Sequence, residues 1–286
     1  MLFDRLYEPK EGDILYHYCS GDSFDAICNS KRLRLGDLFA MNDFMEMHWG
    51  YDIWERAAGE MLDQVGEDFL DEIDKIIHAS GFNILLVGTC FSLDGDVLSQ
   101  WRGYANDGNG YCIGFDGSIF PDVPARALRV LYDKEQQIEE ARRFIASVHA
   151  VETEEKFTFG DDFFNSCVSF ASDLSAFKNP AFEEEQEVRI VHVLNFEKSN
   201  NSLRLFDAGG HAFGKDVGGE SVGFRMKGEV PAAFIDVDFS NGGKLNPIKE
   251  VILGPKNDAI SFGISIYLET LGIGNVKIKK SKASYR

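Results

Sequence analysis

The run "EQEVRIVHVLNF", residues 185–196, constrains the fold more than any other stretch of the chain. Its alternation reads as a long strand. Val188, Ile190 and Leu194 fall on one face with His192 among them, while Glu185, Glu187 and Arg189 fall on the other. The apolar face requires a core. The other face lines up two carboxylates and a guanidinium at intervals of roughly 7 Å. It reads either as a solvated edge kept acidic against unwanted pairing or as the wall of a cleft.

Further strands are available to pair with it: "DILYHY", "RLRLGD", "NILLVGTCFS" (83–92), "GYCIGFD" (110–116), "ARALRVLYD" (125–133), "AAFIDVDF", "IKEVILGP" and "NVKIK". Helical spacing marks "SGDSFDAICNS", residues 42–79 with glycine breaks, the short "DVLSQWRGYAN", residues 134–157, residues 161–177 and "NDAISFGISIYLETLG". Asn42-Asp43 reads as a helix cap and turn, and the glycines crowding 209–228 read as a flexible loop. Strands outnumber helices and the helices come in blocks, which favours α+β over a regular βαβ parallel sheet.

Composition narrows the function classes. The 24 phenylalanines among 286 residues supply a sizeable aromatic core. A net charge of −18 repels phosphate backbones at long range and argues against broad nucleic-acid binding. No apolar run approaches the roughly 20 residues of a membrane helix. The charged N-terminus lacks the apolar region of a secretory signal. Five scattered cysteines without a CxxC pair read as reduced thiols of a cytoplasmic protein. His and Cys do not cluster at metal-ligand spacing, so no metal is expected.

Three stretches carry possible chemistry. In "LYHYCS", Leu15, His17 and Cys19 share one side of a strand, and Tyr16 and Tyr18 the other. His17 is either satisfied against backbone or placed to hold a hydroxyl. In "CFSLDGDVLSQWRGYANDGNGYCIGF", Ser92, Ser99, Trp101, Arg102 and Tyr104 surround a strand–helix–strand turn. Aromatic rings beside hydroxyls suit a flat heteroaromatic ligand, although Trp101 and Tyr104 at i and i+3 also suit the packed face of a short helix. In "FEEEQEVRIV", a carboxylate could offset positive charge developing on a sugar carbon, and Arg189 could pair with a carboxylate or phosphate.

In combination, "LYHYCS", "NDFME", "CFS…QWRGYA…GYCIGF", "FEEEQEVRIV" and "IKEVILGP" occur in an order that resembles the bacterial and phage family known as domain of unknown function 2971. The resemblance covers about residues 13–256. That family looks like a remote relative of the ADP-ribosyltransferases. It implies a single domain over 1–286, with a split antiparallel β-sheet core and helical insertions near 42–80 and 134–177. It also implies NAD as substrate, cleaved at the nicotinamide–ribose bond, with ADP-ribose passed to an unidentified protein or nucleic acid.

By that resemblance His17 holds a ribose hydroxyl, Glu187 matches the catalytic glutamate and Glu185 the residue that helps activate an acceptor. Tyr16, Tyr18, Ser92, Ser99, Trp101, Arg102, Tyr104 and Arg189 line the ligand site. Tyr18 departs from the pattern, standing where a glycine lets backbone approach the nicotinamide amide. An NAD glycohydrolase on the same cleft and a non-catalytic nucleotide-binding module are the alternatives. A role as a toxin or phage-defence effector is the context the wider superfamily carries.

Overall fold

The long strand needs neighbours on both edges, and the chain supplies them from segments far apart in sequence. The computed structural model describes residues 5–40, 45–199 and 202–285; Asn42 and Asp43 lie outside the described residues. β1 (Ile14–Cys19) leads into α1 (Gly21–Ser30), where the Ser20 side chain accepts from the Ser23 backbone N–H and Lys31 ends the helix in the left-handed region. β2 (Arg32–Asp37) follows. α2 (Met45–Val65) and α3 (Glu67–Asn83) are separated at Gly66, whose φ of 86° suits glycine alone.

β3 (Ile84–Ser92), α4 (Leu98–Tyr104), β4 (Tyr111–Asp116) and β5 (Arg126–Arg129) come next, then α5 (Lys134–Glu154) and α6 (Asp161–Leu174). A 3-10 turn at Pro180–Glu185 precedes β6 (Glu187–Ser199) and β7 (Ser202–Phe206). β8 (Gly210–Ala212) and β9 (Lys215–Val217) form a small hairpin. β10 (Gly223–Lys227), β11 (Val230–Asp238), β12 (Ile248–Leu253), α7 (Ser261–Thr270) and β13 (Lys277–Lys280) complete the chain. The glycine-rich stretch expected as a flexible loop thus contains a hairpin and a sheet strand.

The fold is mixed α+β, with an eleven-stranded sheet in the order β10-β11-β2-β3-β1-β4-β12-β13. β6 branches from the other edge of β3 and carries β5 and β7 on its far side. Described pairs run antiparallel except β12–β13. β6 therefore lies inside the sheet, and the solvated edge considered for its polar face does not occur.

Burial follows the alternation. Leu15, Cys19, Phe91, Phe115, Val188, Ile190 and Leu194 bury one face against Phe24, Ile27 and Cys28 of α1. Each such side chain contributes roughly 1.5–3 kcal/mol. The two helical blocks, distant in sequence, share a second core. Trp54, Ile73, Phe144 and Phe170 meet there, with the Phe144 and Phe170 rings stacked at 4.0 Å. Leu86, Leu128, Tyr132, Ala176 and Val191 form a third cluster, so β6 is covered on both faces. Among the described residues, no helix is long and apolar enough to cross a membrane.

Candidate functional site

Strand register decides which polar residues meet. Glu250, Gly114, Tyr16, Ser92 and Glu187 lie in one row across β12, β4, β1, β3 and β6. Residues directly paired across strands present side chains to the same face. Gly114 leaves room for the Tyr16 ring to pass. A Cβ there would sit 2.7 Å from Glu250 Cγ and 3.2 Å from Tyr16 Cε1. Tyr16 accordingly donates its hydroxyl to Glu250 Oε1 at 2.8 Å and turns away from Glu187.

Glu187 is the centre of a buried ionic network. Its Oε1 accepts from Arg189 Nε at 2.7 Å and its Oε2 from Lys178 Nζ at 2.9 Å. Lys178 also bonds Glu185 Oε2, and Arg189 donates to the Ser175 carbonyl. All four charged side chains are buried. The Glu187 backbone N–H donates to the Tyr132 hydroxyl at 3.0 Å. Burial alone would raise the Glu187 carboxyl. The Arg189 and Lys178 charges, with a Cys90 hydrogen bond, outweigh it and hold the group well below the usual carboxylate range. Two carboxyl groups thus face one ammonium and one guanidinium.

Glu185 differs from its expected placement. It ends the 3-10 turn, and Gln186, at a φ of 44°, redirects the chain into β6. Glu185 is thus not a same-face strand neighbour of Glu187. The two carboxylates are joined by Lys178 instead, because a left-handed residue between them breaks the period of two. Tyr104 donates to Glu185 Oε1 over a long 3.5 Å. Tyr104 is 43% exposed, and Phe182, whose ring lies 5.1 Å from Lys178 Nζ, is 37% exposed. Exposed Leu93 donates its backbone N–H to the Gln186 carbonyl. Two partly exposed aromatic rings therefore flank the buried charges.

His17 lies elsewhere. It alternates with Tyr16, so it shares the core face with Leu15 and Cys19, with its ring 5.3 Å from Phe91. The resemblance implied that His17 and Glu187 act on one ligand; the register places them on opposite faces of the sheet. β3 pairs with β2 at Val87 and Gly88 and with β1 at Ser92. Between those points the Cys90 carbonyl accepts from His17 Nδ1 at 3.0 Å. Nδ1 must carry the proton, since a carbonyl only accepts. Burial lowers the His17 pKa and favours the neutral ring.

Tyr18 and Trp101 are packed together, not arranged around open space. The Tyr18 hydroxyl donates to the Asp94 carbonyl and accepts from the Val97 N–H, each at 2.9 Å. Trp101 is fully buried, edge-on to Tyr18 at 4.9 Å, and its Nε1 donates to Asp96 Oδ1 at 2.8 Å. Ser99 Oγ is buried without a hydrogen-bond partner among the described residues. Arg102 is exposed on the outer side of α4. The structure thus gathers Ser92, Tyr104, Glu185, Glu187 and Arg189 around one centre and sets His17, Tyr16, Tyr18 and Trp101 apart from it. Lys178, Tyr132 and Cys90 complete that centre. A lone lysine after a helix carries no pattern that would have singled it out.

Residues 100–190 match the model of a family described as Protein of unknown function (DUF2971). No curated protein and no solved structure matches the chain. The DUF2971 match covers under half the chain, from α4 into β6. It nevertheless contains Trp101 and Tyr104 of α4 together with Lys178, Glu185, Glu187 and Arg189 of the ionic network.

Proposed function

We propose that this chain is an NAD-consuming ADP-ribosyltransferase whose reacting centre is the Glu185–Glu187 pair beside the Tyr104 and Phe182 rings. The observation that carries this reading is a buried pair of carboxyl groups, with Glu187 held ionised by its neighbouring cations, beside two exposed aromatic rings. Flat heteroaromatic groups stack on such rings, and carboxylates stabilise oxocarbenium-like sugar carbons. In the proposed step the ribose C1′–nitrogen bond breaks and its electron pair leaves with nicotinamide. Glu187 offsets the charge left on the ribose. An acceptor nucleophile then bonds C1′ and gives its proton to Glu185. NAD is a substrate here, and a role in toxicity or phage defence accords with such an activity.

The test is incubation with NAD labelled in its adenylate half, beside Glu185→Gln and Glu187→Gln variants with confirmed folding. Nicotinamide release that both substitutions abolish, with label on protein or nucleic acid, is the expected outcome. Release with no macromolecular label means that water is the acceptor. Undiminished release from Glu187→Gln would refute the assignment. A second reading, a nucleotide-binding module without turnover, is favoured by one observation: Tyr18 and Trp101 fill the space beside the loop before α4. Thermal stabilisation by NAD and ADP-ribose without nicotinamide release would select it.

A further inference from the structure

The outer side of α4 holds a second feature, away from the carboxylates. Tyr285 lies in a seat built from two turns. Its floor is Gly108, at a φ of 84°, where a Cβ would sit 3.3 Å from Tyr285 Cδ1 and 3.1 Å from Pro255 Cγ. Only glycine leaves that floor flat. The Lys256 ammonium stands 3.9 Å from the Tyr285 ring centroid, and the Arg102 guanidinium stands 5.4 Å from it. At the rim, Asp107 Oδ1 accepts the Tyr285 hydroxyl at 2.5 Å while Oδ2 accepts from Lys256 at 2.8 Å. A flat floor, cations over the ring face and an acceptor at the ring edge together select a planar aromatic group with an outward-pointing donor.

The chain before Tyr285 is tied down independently. Ser281 donates its backbone N–H to the Leu253 carbonyl at 2.8 Å, and both the Ser281 hydroxyl and the Lys282 N–H bond Asp96. Ala283 packs against the Tyr18–Trp101 cluster. Among the described residues the side-chain contacts of Tyr285 lie in its seat, so it can leave without unravelling what precedes it. Arg102 and Tyr104 sit two positions apart at the C-terminal end of α4, so the seat and the Tyr104 ring flank one helix end.

We propose that Tyr285 occupies, from within the chain, a subsite for the amino-bearing purine of an adenine nucleotide. The purine would stack beneath Lys256 and Arg102, with its amino group donating to Asp107. A phosphate would meet the same two cations. This inference rests on the nucleotide reading above but not on catalysis, because adenylate contains no nicotinamide.

The test is isothermal titration of AMP and IMP into the full chain, wild type and Tyr285→Ala. IMP presents a carbonyl where AMP presents the amino group, and a carbonyl cannot donate to Asp107. Vacating the seat should tighten AMP binding roughly tenfold, the scale of two exposed cation–ring contacts. IMP should gain little, and Asp107→Asn in the Tyr285→Ala background should erase the preference for AMP. AMP affinity that is unchanged or weaker in Tyr285→Ala overturns the proposal, as does an equal gain for both nucleotides. A gain for AMP alongside absent NAD cleavage would leave the subsite standing and remove only the catalytic reading.

Discussion

Replacing Lys178 with Met isolates what the buried network contributes. The ammonium contacts Glu187 Oε2 at 2.9 Å and also bonds Glu185. Met fills similar volume without charge, so two carboxylates remain with Arg189, which still contacts Glu187 Oε1 at 2.7 Å. Breaking a buried pair from one side typically costs 3–5 kcal/mol. Proton uptake caps that cost. Neutralising a glutamate at pH 7 from an ordinary pKa near 4.3 requires roughly 3.5 kcal/mol, so Lys178→Met should lose about 3 kcal/mol. The variant's carboxyl pKa is raised, so its deficit shrinks as pH falls, to about 1 kcal/mol at pH 5. Urea unfolding at both pH values reads this directly, and the melting temperature should fall by roughly 6 °C or more at pH 7. Adding Glu185→Gln removes the surplus charge and should restore more than half the loss, a coupling of at least about 1.5 kcal/mol. A deficit below about 1 kcal/mol that is equal at pH 7 and pH 5 would show that the carboxylates are not held together by Lys178.

Other consequences concern the supports of the site. His17 has its pKa lowered by burial, so wild-type stability should decline as pH drops below about 6.5, where the unfolded chain takes up a proton first. His17→Gln keeps a donor for the Cys90 carbonyl and should remove that slope while changing nicotinamide release little, checked by urea midpoints at pH 7.5 and 5.5. Asp173 is raised to about 6 by burial, against the opposing charges of Arg126 and Arg5. Its contribution is therefore complete at low pH and lost as pH rises through about 6. Asp173→Asn should flatten the stability profile between about pH 4 and pH 6, and an unaltered profile would refute burial as the cause.

Periodicity carried the element assignments because each rests on local pattern. Alternation in β6 assigned Val188, Ile190 and Leu194 to one buried face, and the spacing of Phe24, Ile27 and Cys28 assigned the inner side of α1. The α+β class followed from the blocks of strands and helices. Residue types also marked "QWRGYA" and "EQEVR" as chemically dense, and the structure joins Tyr104 to Glu185 there. What local pattern could not supply was register. A shift of one residue moves every side chain to the opposite face, so only the β1–β3–β6 pairing decides that Tyr16 aligns with Ser92 and Glu187 while His17 turns to the core. The same limit applies to Lys178, which reaches the carboxylates because the turn after α6 packs on β6, where Arg189 donates to the Ser175 carbonyl. Side-chain chemistry is written residue by residue; which charges meet depends on long-range pairing, and that depends on burying both faces of the sheet at once.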